Sequence, residues 1–148
     1  MRIAVASDHA GYPLKATVMQ TLQALGVEAT DHGVHDTSPT DFPDAAALVG
    51  RALQNGAADR GILLCGSGVG VCIAANKMKG VLASVCHDTY SAHQGVEHDG
   101  MNVLCLGARV IGVDLAKELV RTFVGATFQE EERFQRRVNK INLLEASQ

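Results

Sequence analysis

The stretch that most constrains this chain is Gly61-Ile62-Leu63-Leu64-Cys65-Gly66-Ser67-Gly68-Val69-Gly70. A short apolar run after Asp59-Arg60 reads as a buried strand. It passes into a glycine-rich turn, and Val71–Lys77 can open a helix behind it. Such a step gathers backbone N–H groups and a helix N-terminus at one point, which attracts negative charge. It also favours the thiolate of a neighbouring cysteine. Cys65 is therefore a candidate base or nucleophile. The N–H groups of Ser67, Gly68, Val69 and Gly70 are candidates to hold an anion formed beside it. The competing reading makes Cys65 a small buried hydrophobe and the glycines a tight turn only. Gly66-x-Gly68-x-Gly70 lacks the G-x-G-x-x-G spacing of a dinucleotide turn, and no Lys-Ser or Lys-Thr follows as a P-loop requires.

The rest of the chain repeats the strand-to-helix step. Arg2–Ala6 reads as a strand ending at Ser7-Asp8-His9-Ala10-Gly11. Pro13 opens a helix with Leu14, Val18, Leu22 and Leu25 on one side, and Gly26 closes it. Val27–Asp31 is a second strand, His32–Asp41 a polar loop, and Phe42-Pro43-Asp44 the start of a helix reaching Asn55-Gly56. Ile62–Leu64, Val81–Cys86 and Asn102–Leu106 complete five strands. Helices are expected over Thr89–Val96 and Val113–Val124, and a charged terminal helix from near Gln129. Strands alternating with helices predict an α/β fold: a single domain over residues 1–148 with a doubly wound, Rossmann-like, five-stranded parallel sheet, flanking helices and a C-terminal helix.

Composition narrows the partners. The 148 residues suffice for one core, and at 47% hydrophobic with no Trp that core is built from Ala, Val, Leu and Ile. A net charge of −3 gives no reason to expect nucleic acid or an anionic membrane. No apolar run approaches the roughly 18 residues of a membrane span. Cys65, Cys72, Cys86 and Cys105 show no C-x-x-C spacing, which predicts free thiols and a cytoplasmic location. Cys72, Cys86 and Cys105 read as core fillers. The histidines are too scattered for a metal site, and His32-x-x-His35 reads as a polar loop.

In a parallel sheet, ligands bind at the carboxyl ends of the strands. Asp8-His9, Cys65 with its turn, and His87-Asp88 all fall there, although Asp88 reads more readily as a helix N-cap. His98 precedes a strand, so it belongs at the opposite edge. It is either a surface histidine or part of a neighbouring subunit's site. Arg133 and Arg137 are one helical turn apart and suit a phosphate, unless Glu130, Glu131 and Glu132 simply pair with them.

Ser7-Asp8-His9-Ala10-Gly11, Cys65–Gly70, Glu97-His98 before Asn102-Val103-Leu104, Gly107-Ala108-Arg109-Val110-Ile111-Gly112, and Arg133 with Gln135-Arg136-Arg137-Val138 together resemble the ribose-5-phosphate isomerase B family, which includes the galactose-6-phosphate isomerase subunits. The resemblance runs from Met1 to about Ile141. It implies an aldose–ketose isomerase of a phosphorylated sugar, with no metal or organic cofactor. Cys65 would be the base, Ser67–Gly70 would hold the enediolate oxygen with Gly66 lining the site, and Asp8 would relay protons between substrate oxygens. His98 would open the sugar ring. His9, Arg109, Arg133 and Arg137 would bind the phosphate. The resemblance also implies a homodimer with shared active sites, and a dimer of dimers is compatible with it.

The chain departs from the family pattern at several positions. Asp99 stands where Asn is usual, Phe134 where His is common, and Phe42 where Tyr is common; Ser67 replaces Thr. Glu131-Glu132 replace a glycine pair. An ionised Asp99 would repel an oxyanion unless it is protonated or turned away, Phe134 and Phe42 would each withdraw a polar group from the sugar, and the two glutamates would weaken the phosphate site. These changes point to a sugar other than ribose 5-phosphate, such as a shorter ketose phosphate that does not cyclise. A partner-dependent or non-catalytic sugar-phosphate-binding subunit of the same fold is the alternative.

Overall fold

The computed structural model describes residues 1–147. In chain order the elements are β1 (Arg2–Ser7), α1 (Tyr12–Ala24), β2 (Glu28–Asp31), α2 (Phe42–Gln54), β3 (Arg60–Cys65), α3 (Val69–Ala75), β4 (Ala83–Val85), α4 (Thr89–Asp99), β5 (Val103–Gly107), α5 (Val113–Gly125) and α6 (Glu132–Ala146). The strands form one parallel sheet in the order β2-β1-β3-β5-β4. The doubly wound α/β architecture expected from the sequence is the one observed.

Strand alternation divides the core. Ile3, Val5, Ile62, Leu64, Leu104 and Leu106 face α1, α4 and α5. Ala4, Ala6, Leu63, Cys65, Val103 and Cys105 face α2 and α3. Small side chains on the second face let α2 lie close. A β-carbon at Gly61 would come within 2.3 Å of Val49 Cγ1, so that position holds glycine for want of space. Gly11 has the same reason, since its β-carbon would meet the Leu64 carbonyl at 2.3 Å.

Several boundaries differ from the sequence reading, each for a visible reason. β3 runs on through Cys65, because that residue still pairs with Gly107 of β5. β4 shrinks to three residues. It lies at the sheet edge with β5 as its one neighbour, and Leu82 instead gives its carbonyl to the N–H groups of Asn102 and Val103. α3 starts at Val69, two residues early, because Gly68 with φ +80° caps it. α6 starts only at Glu132. The preceding stretch is tied to α4 by the Gln129 N–H, which donates to the Glu97 carbonyl at 2.9 Å.

β1 connects outward to β2, and β2 returns across β1 to β3. The winding therefore reverses between β1 and β3. Loops leaving those two strands diverge and open a crevice at their carboxyl ends.

Candidate active site

Asp8 and His9 leave β1 at that crevice. The Asp8 N–H donates to the Leu64 carbonyl at 3.1 Å, and its carboxylate Oδ1 accepts the Gly11 N–H at 2.8 Å. Asp8 is buried, with one oxygen held and Oδ2 left for a ligand. His9 is clasped by Thr40. Its N–H donates to Thr40 Oγ1 at 3.1 Å, and the Thr40 N–H donates to His9 Nδ1 at 3.1 Å. An Nδ1 that accepts leaves the ring proton on Nε2. The loop before Thr40 is itself pinned, since Lys15 Nζ bonds both Asp31 and the Val34 carbonyl.

Cys65 is the last residue of β3. It is buried, and its Sγ accepts the Gly68 N–H at 3.0 Å. A donor on sulfur interacts more strongly with a thiolate than with a thiol. The turn is tight because Gly68 is left-handed, and a β-carbon there would also press on Leu106 and Gly107 backbone at 3.0 and 3.2 Å. Of the amides expected to hold an anion, that of Gly68 is on the sulfur and that of Val69 donates to Ser67 Oγ at 3.2 Å. Those of Ser67 and Gly70 have no partner among the described residues and face the opening of α3.

Arg109 follows β5. Its N–H donates to the Gly66 carbonyl at 3.0 Å, and its side chain overhangs the turn, with Cδ and Nη1 at 3.4 and 3.5 Å from where a Gly66 β-carbon would sit. Asp8, His9, Cys65, Ser67, Arg109 and Phe42 line one open cleft of about 450 Å³. A buried thiol, a carboxylate, an imidazole, free amides and a guanidinium thus converge. This set suits removal of a proton beside a carbonyl in an anionic substrate.

The Ribose/Galactose Isomerase family profile matches residues 3–141. The chain belongs to this family. It is 43% identical over 144 residues to ribose-5-phosphate isomerase B of Escherichia coli strain K12, covering 97% of this chain and 96% of that one. It is 42% identical over 130 residues to D-erythrulose-4-phosphate isomerase of Pectobacterium atrosepticum, covering 87% and 86%. The structure of Clostridium thermocellum ribose-5-phosphate isomerase B superposes with a TM-score of 0.96 at 43% identity and 99% coverage of both chains. These relatives are isomerases, and the enzyme class expected from the sequence holds.

The remaining expected site residues of this isomerase lie elsewhere. His98 and Asp99 end α4, and α4 runs back to the start of β5, the edge opposite Cys65. Asp99 is exposed. Arg133 and Arg137 are exposed on α6, which packs on α4. Arg133 Nε pairs with Glu131 at 2.8 Å. Within one chain, then, the fold gathers Asp8, His9, Cys65–Gly70 and Arg109, and separately gathers His98, Asp99, Arg133 and Arg137.

One expectation is corrected by the packing. Phe134 does not confront a sugar in place of a polar group. It is 3% exposed, and its ring lies flat on the His98 imidazole, with centroids 4.1 Å apart and planes 11° apart. Thr40 and Gln94 are the partners of expected site residues that sequence reasoning missed. Gln94 had a signal, since it lies one helical turn before His98 on the same helix; Thr40 had none.

The other titratable groups divide cleanly. Asp88 is the N-cap of α4, accepting the Ser91 N–H at 2.7 Å. His87 Nε2 accepts the Gly107 N–H at 3.0 Å, and burial lowers its pKa. All four cysteines are free. A hydrogen bond from the Cys105 thiol holds Cys72 down to about 7, and that same bond, with burial, pushes Cys105 well up. Burial raises Cys86. Among the described residues no helix is long and apolar enough to cross a membrane, and no group of three His, Cys, Asp or Glu side chains is placed to hold a metal ion.

Proposed function

We propose that this chain interconverts an aldose phosphate and a ketose phosphate, with Cys65 as the base and with each active site shared between two copies of the chain. The Gly68 N–H on the Cys65 sulfur, inside a cleft that also holds Asp8, His9 and Arg109, is the observation that carries the reading. The Cys65 thiolate takes the proton from the carbon beside the carbonyl. The electron pair left behind forms the enediolate, whose oxygen meets the Ser67 and Gly70 amides. Asp8 Oδ2 moves a proton between the two substrate oxygens, and Cys65 returns its proton to the neighbouring carbon. Nε2–H of His9 and the Arg109 guanidinium bind the phosphate. No step calls for a cofactor.

The second copy completes the site. His98, Asp99, Arg133 and Arg137 lie at the sheet edge remote from their own Cys65, so they serve the cleft of a partner in a homodimer. Exposed Leu48, Val69 and Ile73 on the α2 and α3 layer beside the cleft supply apolar surface for that contact. Within the substrate class we infer a four-carbon ketose phosphate. Phe42 packs its phenyl ring on Gly70 at the cleft and offers no hydroxyl, Asp99 is a carboxylate, and a relative 42% identical is a D-erythrulose-4-phosphate isomerase.

The test is turnover of four-, five- and six-carbon sugar phosphates by the wild type and by Cys65→Ala, with proton exchange at the carbon beside the carbonyl followed in deuterated water. The reading expects turnover and exchange in the wild type, and loss of both by about a hundredfold or more in the variant. Exchange that persists in Cys65→Ala refutes the base. Preference for ribose 5-phosphate over the four-carbon ketose refutes the substrate size alone. Binding of sugar phosphate without any exchange makes the chain a non-catalytic subunit.

A further inference from the structure

We propose that Phe134 is a positioning residue that fixes two active-site groups at once: the His98 imidazole on one face of its ring and the Arg133 guanidinium on the other. This rests on the reading above, in which His98 and Arg133 serve the partner's cleft. The His98 ring covers one face of Phe134 at a centroid distance of 4.1 Å and an angle of 11°. Arg133 Cζ lies over the same ring at 4.5 Å from its centroid. With an imidazole lying parallel to the ring at that distance, we place the guanidinium on the opposite face. The three groups form a stack of imidazole, phenyl and guanidinium.

The centre of the stack is the part least free to move. Phe134 is 3% exposed and is the buried residue of α6. Its backbone N–H is tied to the Glu131 carbonyl at 3.0 Å, and the Gln129 N–H anchors the same segment to the end of α4. The outer groups are long or rotatable side chains at the surface. Each is held by one further contact: Gln94 Nε2 at 3.3 Å from His98 Nδ1, and Glu131 Oε2 at 2.8 Å from Arg133 Nε. An amide N–H only donates, so Nδ1 accepts and the neutral ring carries its proton on Nε2, the edge left open. A phenyl ring offers no hydrogen bond of its own. It therefore orients both partners by their faces and leaves Nε2 of His98 and the Nη groups of Arg133 for a ligand.

The test uses full-length Phe134→Leu, which removes the flat faces, and Phe134→His, which restores a flat ring. Kinetics are measured on whichever of D-erythrulose 4-phosphate and ribose 5-phosphate the wild type turns over faster, with inorganic phosphate as competitive inhibitor. Loss of the stack lets two substrate-contacting groups drift, which sets the expected fall in kcat for Phe134→Leu at about tenfold, with a severalfold rise in the phosphate inhibition constant. Phe134→His recovers both to within about threefold of wild type. In the wild-type spectrum the carbon-bound ring protons of His98 are shifted upfield by the phenyl ring, and Phe134→Leu removes that shift. A folded Phe134→Leu with unchanged kcat and phosphate inhibition overturns the proposal. So does a wild-type spectrum without the upfield shift, a result that needs no variant to fold. His98→Asn and Arg133→Ala are run alongside. If they leave kinetics unchanged, the shared-site reading fails; if they impair the enzyme while Phe134→Leu does not, only the positioning role fails.

Discussion

Gly107→Ala tests how tightly the back of the Cys65–Gly70 turn is held. Gly107 is the last residue of β5 and pairs with Cys65. It is not a left-handed glycine, so alanine meets no backbone strain there. The obstacle is space. A β-carbon at Gly107 lies 2.6 Å from the Ser67 carbonyl carbon and oxygen, where ordinary contact begins at 3.4 Å, a shortfall of 0.8 Å (3.4 − 2.6) against backbone that has no rotamer to escape by. The turn carrying Ser67 and Gly68 must move outward by about that much. Misplacement of reacting groups costs on the order of a hundredfold per ångström, so kcat should fall by about fortyfold. Overpacking should lower stability by about 1–3 kcal/mol. The assay pairs kcat and KM with a thermal melt. Gly125→Ala, where nothing lies within 4 Å, is the control and should leave kcat unchanged. A Gly107→Ala enzyme that is folded and within twofold of wild-type kcat would show that the turn tolerates displacement, and the geometric argument for Cys65 would fall with it.

Other expectations follow from the same geometry. Cys65→Ala and the charge reversal Arg137→Glu, each nearly inactive alone, should regain about a quarter of wild-type activity when unfolded together in equal amounts and refolded, because half of random dimers then hold one intact site; no recovery would place both residues in one chain's site or neither. Thr40→Ala removes the acceptor for the His9 N–H, and should raise KM by roughly threefold at a stability cost of about 1 kcal/mol; an unchanged KM would detach His9 from phosphate binding. His87 has a folded pKa below the 6.5 of the unfolded chain. Its contribution to stability is therefore complete above pH 6.5 and is lost as pH falls through the folded value, so His87→Gln should flatten the acid side of the stability profile below pH 6.5. Superimposable profiles would contradict the neutral, accepting Nε2.

The alternation of apolar runs with helical spacing made the strands and most helices legible, because burial on both sheet faces writes continuous runs such as Ile62–Leu64. Strand order was not legible. Nothing in the sequence says that β5 inserts between β3 and β4, and β4 is shorter than its apolar run predicts because it lies at the sheet edge with one neighbour. The cleft residues were legible as strand ends. The clasp of His9 by Thr40 was not, since it joins residues 31 apart through a loop with no periodic pattern. Phe134 shows the limit most clearly. Residue type said that a polar group was gone, and only packing shows that the ring had been turned onto His98.

The cleft residues Asp8, His9, Cys65 and Arg109 come from β1, β3 and β5, the strands with a neighbour on both sides. The edge strands β2 and β4 contribute none of them. Local opening of a sheet begins at its edges. Amide hydrogen exchange should therefore be slowest directly behind the thiol and fastest along β2 and β4. The cleft sits on the last part of the sheet to breathe, and the edges are free to fray, or to change through evolution, without loosening it.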